Sequence, residues 1–118
     1  MYKIKTMNKI SPKGLALLPA DRFVVGDDVQ SEDGILVRSA KMHDYEFPEA
    51  LRAIARAGAG TNNIPIDRCS EAGIVVFNSP GANANAVKEE VIFAMLAASR
   101  HMFEANEWAK REAASGAD

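Results

Sequence analysis

The chain has 118 residues, of which 47% are hydrophobic and 25% charged, a composition typical of one globular domain. Its formal net charge is −2, and no block of like charges favours a nucleic acid or a membrane as partner. The single cysteine, Cys69, excludes an internal disulfide. Since no apolar N-terminal run indicates a signal peptide, the cytoplasm is the expected location.

The first third of the chain contains short apolar runs separated by turns. Tyr2 to Met7 alternate apolar and polar residues as a strand does, and a short helix is predicted to begin at Pro12. Phe23 to Val25 predict a second strand, and Ile35 to Val37 a third, of the apolar kind that is buried in parallel sheets. The pattern leaves open whether a degenerate helix forms at Val29 to Glu32 between them.

The middle of the chain is predicted to form a helix followed by a strand. A short helix is expected around Phe47 to Leu51. Ala53 to Ala57 fit either a continuation of this helix or a strand. We favour the strand, because small residues that end in Gly58-Ala59-Gly60 suit a buried strand entering a tight loop.

The last part of the chain is predicted to be mostly helical. Pro65 to Ala72 predict a helix that Gly73 terminates, followed directly by a strand at Ile74 to Phe77. A long helix is expected from Ala84 to His101, capped by Asn83 or Asn85, and a further helix from Glu104 to Ala114.

Alternating strands and helices of this length indicate parallel pairing with right-handed crossovers. The predicted fold is therefore α/β, a flavodoxin-like doubly wound parallel sheet of about five strands with helices on both faces. Residues 1–103 are predicted to form this domain, and residues 104–118 a C-terminal helix and tail.

Several separated motifs carry a family resemblance. Residues 54–64, 73–83 and 86–89 read IARAGAGTNNI, GIVVFNSPGAN and AVKE, and Ile35 to Ser39 precede them. In this order they resemble the substrate-binding domain of the D-2-hydroxyacid dehydrogenases, most closely the bacterial phosphoglycerate dehydrogenases. The resemblance covers nearly the whole chain.

The resemblance implies an oxidoreductase in which two domains enclose the substrate and NAD. The implied parent reaction is the NAD-dependent oxidation of 3-phosphoglycerate in serine biosynthesis. The family's catalytic arginine, glutamate and histidine have no counterpart here, so we expect no catalytic residue. The chain is also expected to bind no cofactor, because Asn63 stands where a dinucleotide fingerprint would have its third glycine.

The part that remains is the one that holds the substrate's carboxylate and phosphate. Glycines in the Gly58 to Thr61 loop allow backbone N–H groups to approach an anion, and the resemblance gives this loop the same task. Arg38 follows a predicted strand, where open α/β sheets place ligand groups. The candidate substrate-binding residues are Arg38, Ser39, Arg56, Gly58, Ala59, Gly60, Thr61 and Asn78.

Each candidate also has a purely structural interpretation. Arg38 and Arg56 could pair with carboxylates such as Asp33 or Glu49, and the glycines could simply form a turn. His43 and His101 stand alone in the sequence and predict no metal site, and Cys69 is expected to be a small buried residue.

A departure from the family pattern concerns Glu90, which stands where the family usually has leucine on the long helix. A glutamate at this position indicates a helix face exposed to water and favours an engineered or truncated chain. Such a chain is expected to be inactive by itself and to bind a small phosphorylated hydroxy acid weakly. The alternative is a designed or structural scaffold without ligand.

Apolar residues of the last two helices predict a homodimer. A receiver or flavin module is disfavoured, because Asn8 to Pro12 lack both an acidic pocket and a glycine-rich loop.

Overall fold

The computed structural model describes residues 1–116. In chain order its elements are β1 (Tyr2–Met7), α1 (Pro12–Leu15), β2 (Phe23–Gly26), β3 (Gly34–Val37), β4 (Ala53–Arg56), α2 (Ile66–Glu71), β5 (Val75–Phe77), α3 (Ala84–Ser99) and α4 (Met102–Ser115). They fall into two compact units, Met1–Ala82 and Asn83–Asp118. This division lies earlier than the predicted boundary after residue 103, and the assignment of residues 1–103 to one domain stays a prediction.

The first unit contains a five-stranded sheet with the order β2-β1-β3-β4-β5. All four neighbouring pairs are parallel. This is the strand order of flavodoxin-like doubly wound sheets, in which ligands bind at the carboxyl edge of the strands. The predicted α/β class and parallel sheet are confirmed, and between β2 and β3 no helix forms.

The register of the strands brings three loops to one edge of the sheet. Met7 of β1 pairs with Val37 of β3, and Val37 pairs with Arg56 of β4. The three strands therefore end at the same level. Asn8, Arg38 and Ala57, the first residues after them, stand side by side at the carboxyl edge.

The hydrophobic core lies against β3 and β4. Its buried members are Ile35, Val37, Met42, Leu51, Ile54, Ile64, Cys69 and Ile74. Burying an aliphatic side chain of this size contributes about 1.5–3 kcal/mol. Because Met42 and Leu51 belong to the β3–β4 connection, that connection packs against the sheet and fixes the loop at the carboxyl edge.

The helix predicted around Phe47 to Leu51 is wrong, and the segment is irregular. A run this short forms a helix only where packing supports it. Just before this segment, the guanidinium of Arg68 on α2 donates to the carbonyl of His43 and, at 3.0 Å, to that of Tyr45. The same guanidinium lies 4.8 Å from the ring centroid of Phe47, so one side chain holds the connection in place.

The predicted end of α2 at Gly73 is confirmed. Gly73 has a φ of +69°, which L side chains rarely adopt. Its N–H donates to the carbonyl of Ser70, and the N–H of Ile74 donates to that of Cys69. These two bonds satisfy the last carbonyls of the helix and turn the chain into β5.

The second unit consists of α3 and α4, which correspond to the two helices predicted for this part of the chain. Arg100 and His101 separate the two helices, and His101 has a φ of +50°. Many large apolar side chains of these helices are exposed, among them Phe93, Met95, Leu96, Phe103 and Trp108. Glu90 is also exposed. Among residues 1–116, no helix combines the length and the apolar composition that crossing a bilayer requires.

Candidate functional site

The carboxyl edge of the sheet is formed by the loops after β1, β3 and β4, and it contains most of the predicted site residues. The β3 loop begins with Arg38 and Ser39, both exposed. The β4 loop contains Gly58 to Thr61, and Asn78 follows β5. The structure therefore places these predicted residues at one edge of the sheet.

Arg56, the last residue of β4, connects the two central loops. Its Nε donates to the carbonyl of Arg38 at 2.9 Å, and its Nη1 donates to the carbonyl of Gly60. The side chain is half-buried. Two of its five N–H groups are therefore bound within the chain, which leaves those of Nη2 and the second N–H of Nη1 for any further contact.

The guanidinium of Arg56 also explains why Gly58 and Gly60 are glycines. A Cβ on Gly58 would lie 3.1 Å from both Cζ and Nη1 of Arg56, and a Cβ on Gly60 would lie 3.2 Å from Nη1. Neither glycine has a positive φ. The space that they leave is filled by the arginine, so the absence of side chains serves the packing of Arg56.

The loop from Gly58 to Thr61 presents a row of backbone donors. The N–H of Gly58 is already used, because it donates to Ser79 Oγ at 2.8 Å and to the carbonyl of Arg56. Asn78 Nδ2 donates to the carbonyl of Ala59 at 2.8 Å and holds the loop from the β5 side. The N–H groups of the next three residues, 59–61, have no hydrogen-bond partner within residues 1–116.

Arg38 and Ser39 have side chains without internal partners. Throughout residues 1–116 neither side chain makes a hydrogen bond, and the ion pair that forms joins Lys110 to Glu107. Asp33, one carboxylate considered as a partner, accepts the N–H of Lys3 at 2.7 Å instead. Within residues 1–116 Arg38 therefore forms no ion pair with either carboxylate considered as its partner.

A cleft of about 480 Å³ lies beside these residues. It is lined by Ser39, Lys41, His43, Arg56, Asn62 and Asn63. The lining includes two permanent positive charges and no carboxylate, and His43 Nε2 is 3.0 Å from the carbonyl of Asn62. A cleft of this composition favours an anion.

Sequence reasoning missed three residues that shape the site: Asn8, Asn63 and Ser79. Asn63 is buried and donates to the carbonyl of Ala40 at 2.8 Å, while Ser79 Oγ accepts from Gly58. Asn8 and Ser79 could have been found from their positions in the sequence, because they come just after the ends of β1 and β5, at the edge of the sheet where ligand sites form.

The described residues do not fit a nicotinamide dinucleotide. In a dinucleotide fingerprint the glycine-rich turn opens directly into a helix, so that the pyrophosphate meets the helix N-terminus. Here α2 begins only at Ile66, and Gly58 and Gly60 are packed against Arg56. In addition, Asn63 is held by its own hydrogen bond to Ala40.

Neither a reactive cysteine nor a metal centre accompanies the cleft within residues 1–116. Burial raises the pKa of the Cys69 thiol, although the nearby Arg68 lowers it. A raised pKa disfavours the thiolate that nucleophilic attack requires. No group of three metal-ligating side chains comes together in this part of the chain.

Comparison with known proteins shows one consistent family. The family model of the "D-isomer specific 2-hydroxyacid dehydrogenase, catalytic domain" matches residues 18–115. The D-3-phosphoglycerate dehydrogenase of Mycobacterium leprae is 37% identical over 95 residues, which are 72% of this chain. The chain spans 18% of the length of that relative.

Two solved structures share the fold. A glyoxylate/hydroxypyruvate reductase from Sinorhizobium meliloti, in complex with citrate, has a TM-score of 0.77 and 26% identity and covers 100% of this chain and 42% of its own. An NAD⁺-bound 3-phosphoglycerate dehydrogenase from Entamoeba histolytica has a TM-score of 0.66 and 29% identity and covers 81% of this chain and 38% of its own.

Proposed function

Because this chain belongs to the D-isomer specific 2-hydroxyacid dehydrogenase family, we propose that it provides the substrate-binding part of such an oxidoreductase. The parent reaction in this proposal is the NAD-dependent oxidation of 3-phosphoglycerate, which the name of the mycobacterial relative supports. The chain binds the acid but transfers no hydride by itself, and NAD is held elsewhere. The exposed Glu90 supports the accompanying hypothesis of an engineered or truncated chain.

The proposal divides the ligand between two loops. The carboxylate accepts hydrogen bonds from the N–H groups of Ala59, Gly60 and Thr61, which have no other partner within the described residues. The phosphate is bound by Arg38, whose guanidinium suits two phosphate oxygens at once, and by the hydroxyl of Ser39. Arg56 holds the two loops together and can contribute only its remaining Nη1 and Nη2 hydrogens.

The single observation that carries this proposal is the row of three free N–H groups beside an exposed, unpaired arginine. Ala59 and Gly60 are exposed, so their N–H groups are accessible to a ligand at the edge where such sheets bind ligands, and consecutive backbone donors suit an anion. The cleft is open, and a ligand bound here alone would be only partly enclosed. We therefore expect weak affinity, because little of the ligand surface would be buried.

Calorimetric titration with 3-phosphoglycerate and with D-glycerate separates the two loops. Arg38→Ala should weaken the binding of 3-phosphoglycerate about ten-fold or more, since hydrogen bonds between charged groups contribute about 1.5–3 kcal/mol. The same variant should leave the weaker binding of D-glycerate nearly unchanged. Arg52→Ala is the matched control, because Arg52 is an equally exposed arginine that precedes β4, at the other edge of the sheet.

Equal losses for Arg38→Ala and Arg52→Ala would mean that general charge, and no specific site, attracts the ligand. No heat of binding for any ligand, from a protein shown to be folded, would favour the alternative of a scaffold without ligand. Either result contradicts the proposed function.

We also propose that the partner of the second unit is another copy of this chain. Phe93, Leu96, Met102 and Phe103 border a cleft of about 540 Å³, and each of these four side chains is more than half exposed. Exposed apolar surface of this kind is common at interfaces between subunits.

A further inference from the structure

Asn8 has an unusual backbone conformation at the start of the candidate site. It follows β1 directly and has a φ of +71°, in the left-handed region that few residues other than glycine adopt. Its side chain is bonded 31 and 32 residues away, because Oδ1 accepts the N–H of Ser39 at 2.8 Å and that of Ala40 at 2.7 Å. The left-handed conformation of Asn8 thus brings one oxygen to two amides of the β3 loop.

The backbone carbonyls of Arg38 and Ala40 in the β3 loop also accept hydrogen bonds. Asn63, only 7% exposed, donates through Nδ2 to the carbonyl of Ala40 at 2.8 Å and to that of Arg38 at 3.5 Å. Arg56 Nε also donates to the carbonyl of Arg38. The ladder between β3 and its neighbours ends at Val37. Beyond it, side chains from the β1 and β4 loops replace the sheet as partners of the backbone.

The side chains of this segment are free although its backbone is fixed. Those of Arg38 and Ser39 are exposed and have no partner within residues 1–116. A fixed backbone that carries free polar side chains reduces the entropy lost when a ligand binds. Asn63 Oδ1 is buried without a hydrogen bond, and strained or unsatisfied groups of this kind concentrate at functional sites.

We propose that Asn8 is a positioning residue of the anion site. By accepting both N–H groups, it holds Arg38 and Ser39 in the orientation that receives the phosphate of the substrate. This inference rests on the proposed function, and it adds a residue from the β1 loop to a site otherwise built from the β3 and β4 loops.

The test uses Asn8→Gly, which removes the side chain while glycine retains the left-handed backbone without strain. Ser31→Gly is the matched control, because Ser31 is also a non-glycine residue with positive φ, +54°, and makes no side-chain hydrogen bond within residues 1–116. Affinity for 3-phosphoglycerate and for inorganic phosphate is measured by calorimetry at a temperature at which every variant is folded.

We expect Asn8→Gly to bind both ligands about ten-fold more weakly, since two side chains must then be ordered on binding. Ser31→Gly should bind like the wild type. Hydrogen exchange gives a second readout: the amides of Ser39 and Ala40 should lose protection in Asn8→Gly and regain it in Asn8→Asp, which keeps the acceptor. A merely structural role for Asn8 predicts lower stability with unchanged affinity.

The two possible failures are distinguishable. If the wild type binds and Asn8→Gly binds equally well, the positioning role is overturned and the proposed function stands. If the folded wild type binds neither ligand, the proposed function fails and the inference fails with it.

Discussion

Replacing Gly58 with alanine should destabilise the protein, because the new Cβ would lie 3.1 Å from Cζ and Nη1 of Arg56. At this distance the guanidinium must shift by a few tenths of an ångström, which weakens its hydrogen bonds to the carbonyls of Arg38 and Gly60. A hydrogen bond from a charged donor contributes about 1.5–3 kcal/mol. The lower flexibility of the unfolded alanine variant offsets about 0.4–1 kcal/mol of the loss.

The expected net loss for Gly58→Ala is about 1–2 kcal/mol in the free energy of unfolding, measured by urea denaturation followed by circular dichroism. Gly14→Ala is the control with the opposite sign. Gly14 lies in α1, and a Cβ there would meet nothing within 4 Å. That variant should therefore gain about 0.4–1 kcal/mol.

A double-mutant cycle tests the cause of the loss. In an Arg56→Ala background the crowding atoms are gone, so adding Gly58→Ala should be neutral or slightly stabilising. The packing role assigned to Gly58 is refuted if Gly58→Ala alone is as stable as the wild type, or if the loss persists without the Arg56 side chain.

Two further predictions concern the buried carboxylate and the second unit. Tyr45→Phe should lower the free energy of unfolding by about 1–3 kcal/mol, because Glu32, 2% exposed, loses the hydroxyl that donates to it. Burial, together with Glu32, raises the pKa of Tyr45 above its usual value of 10.0. The unfolded chain therefore loses the phenolic proton at a lower pH than the folded chain, so the free energy of unfolding should fall as the pH rises above 10.0. Urea denaturation across pH 9–11 should show a smaller fall for Tyr45→Phe than for the wild type. Sedimentation equilibrium should show a mass that rises with concentration, and Phe103→Glu should abolish the rise, whereas a constant monomer mass for the unsubstituted chain would contradict self-association.

The strands could be predicted from the sequence because their signal is local. Ile35 to Val37 form an uninterrupted apolar run, and a strand buried on both faces needs this composition. Gly73 gave a similarly local signal, since the end of α2 requires a positive φ. The flavodoxin-like parallel sheet of about five strands followed from the alternation of strands and helices, and the structure adds the strand order β2-β1-β3-β4-β5.

The errors concern residues whose partners are distant in sequence. Arg68 of α2 holds the chain at Tyr45 and Phe47, through a carbonyl and a ring, and no local pattern reports contacts across more than 20 residues. Gly58 and Gly60 were explained by the approach of an anion, whereas the structure shows them packed against Arg56. Asn8 looked like an ordinary turn residue, because its two bonds lead to another loop.

The central claim is that the loop of residues 59–61 binds the carboxylate of the substrate. Heteronuclear NMR titration of the isotope-labelled chain with 3-phosphoglycerate, and then with NADH, tests it most directly. Saturable shifts of the Ala59, Gly60, Thr61 and Arg38 amides with the acid, and none with NADH, are the predicted result. Well-dispersed spectra in which these amides do not move at any concentration of the acid would contradict the claim.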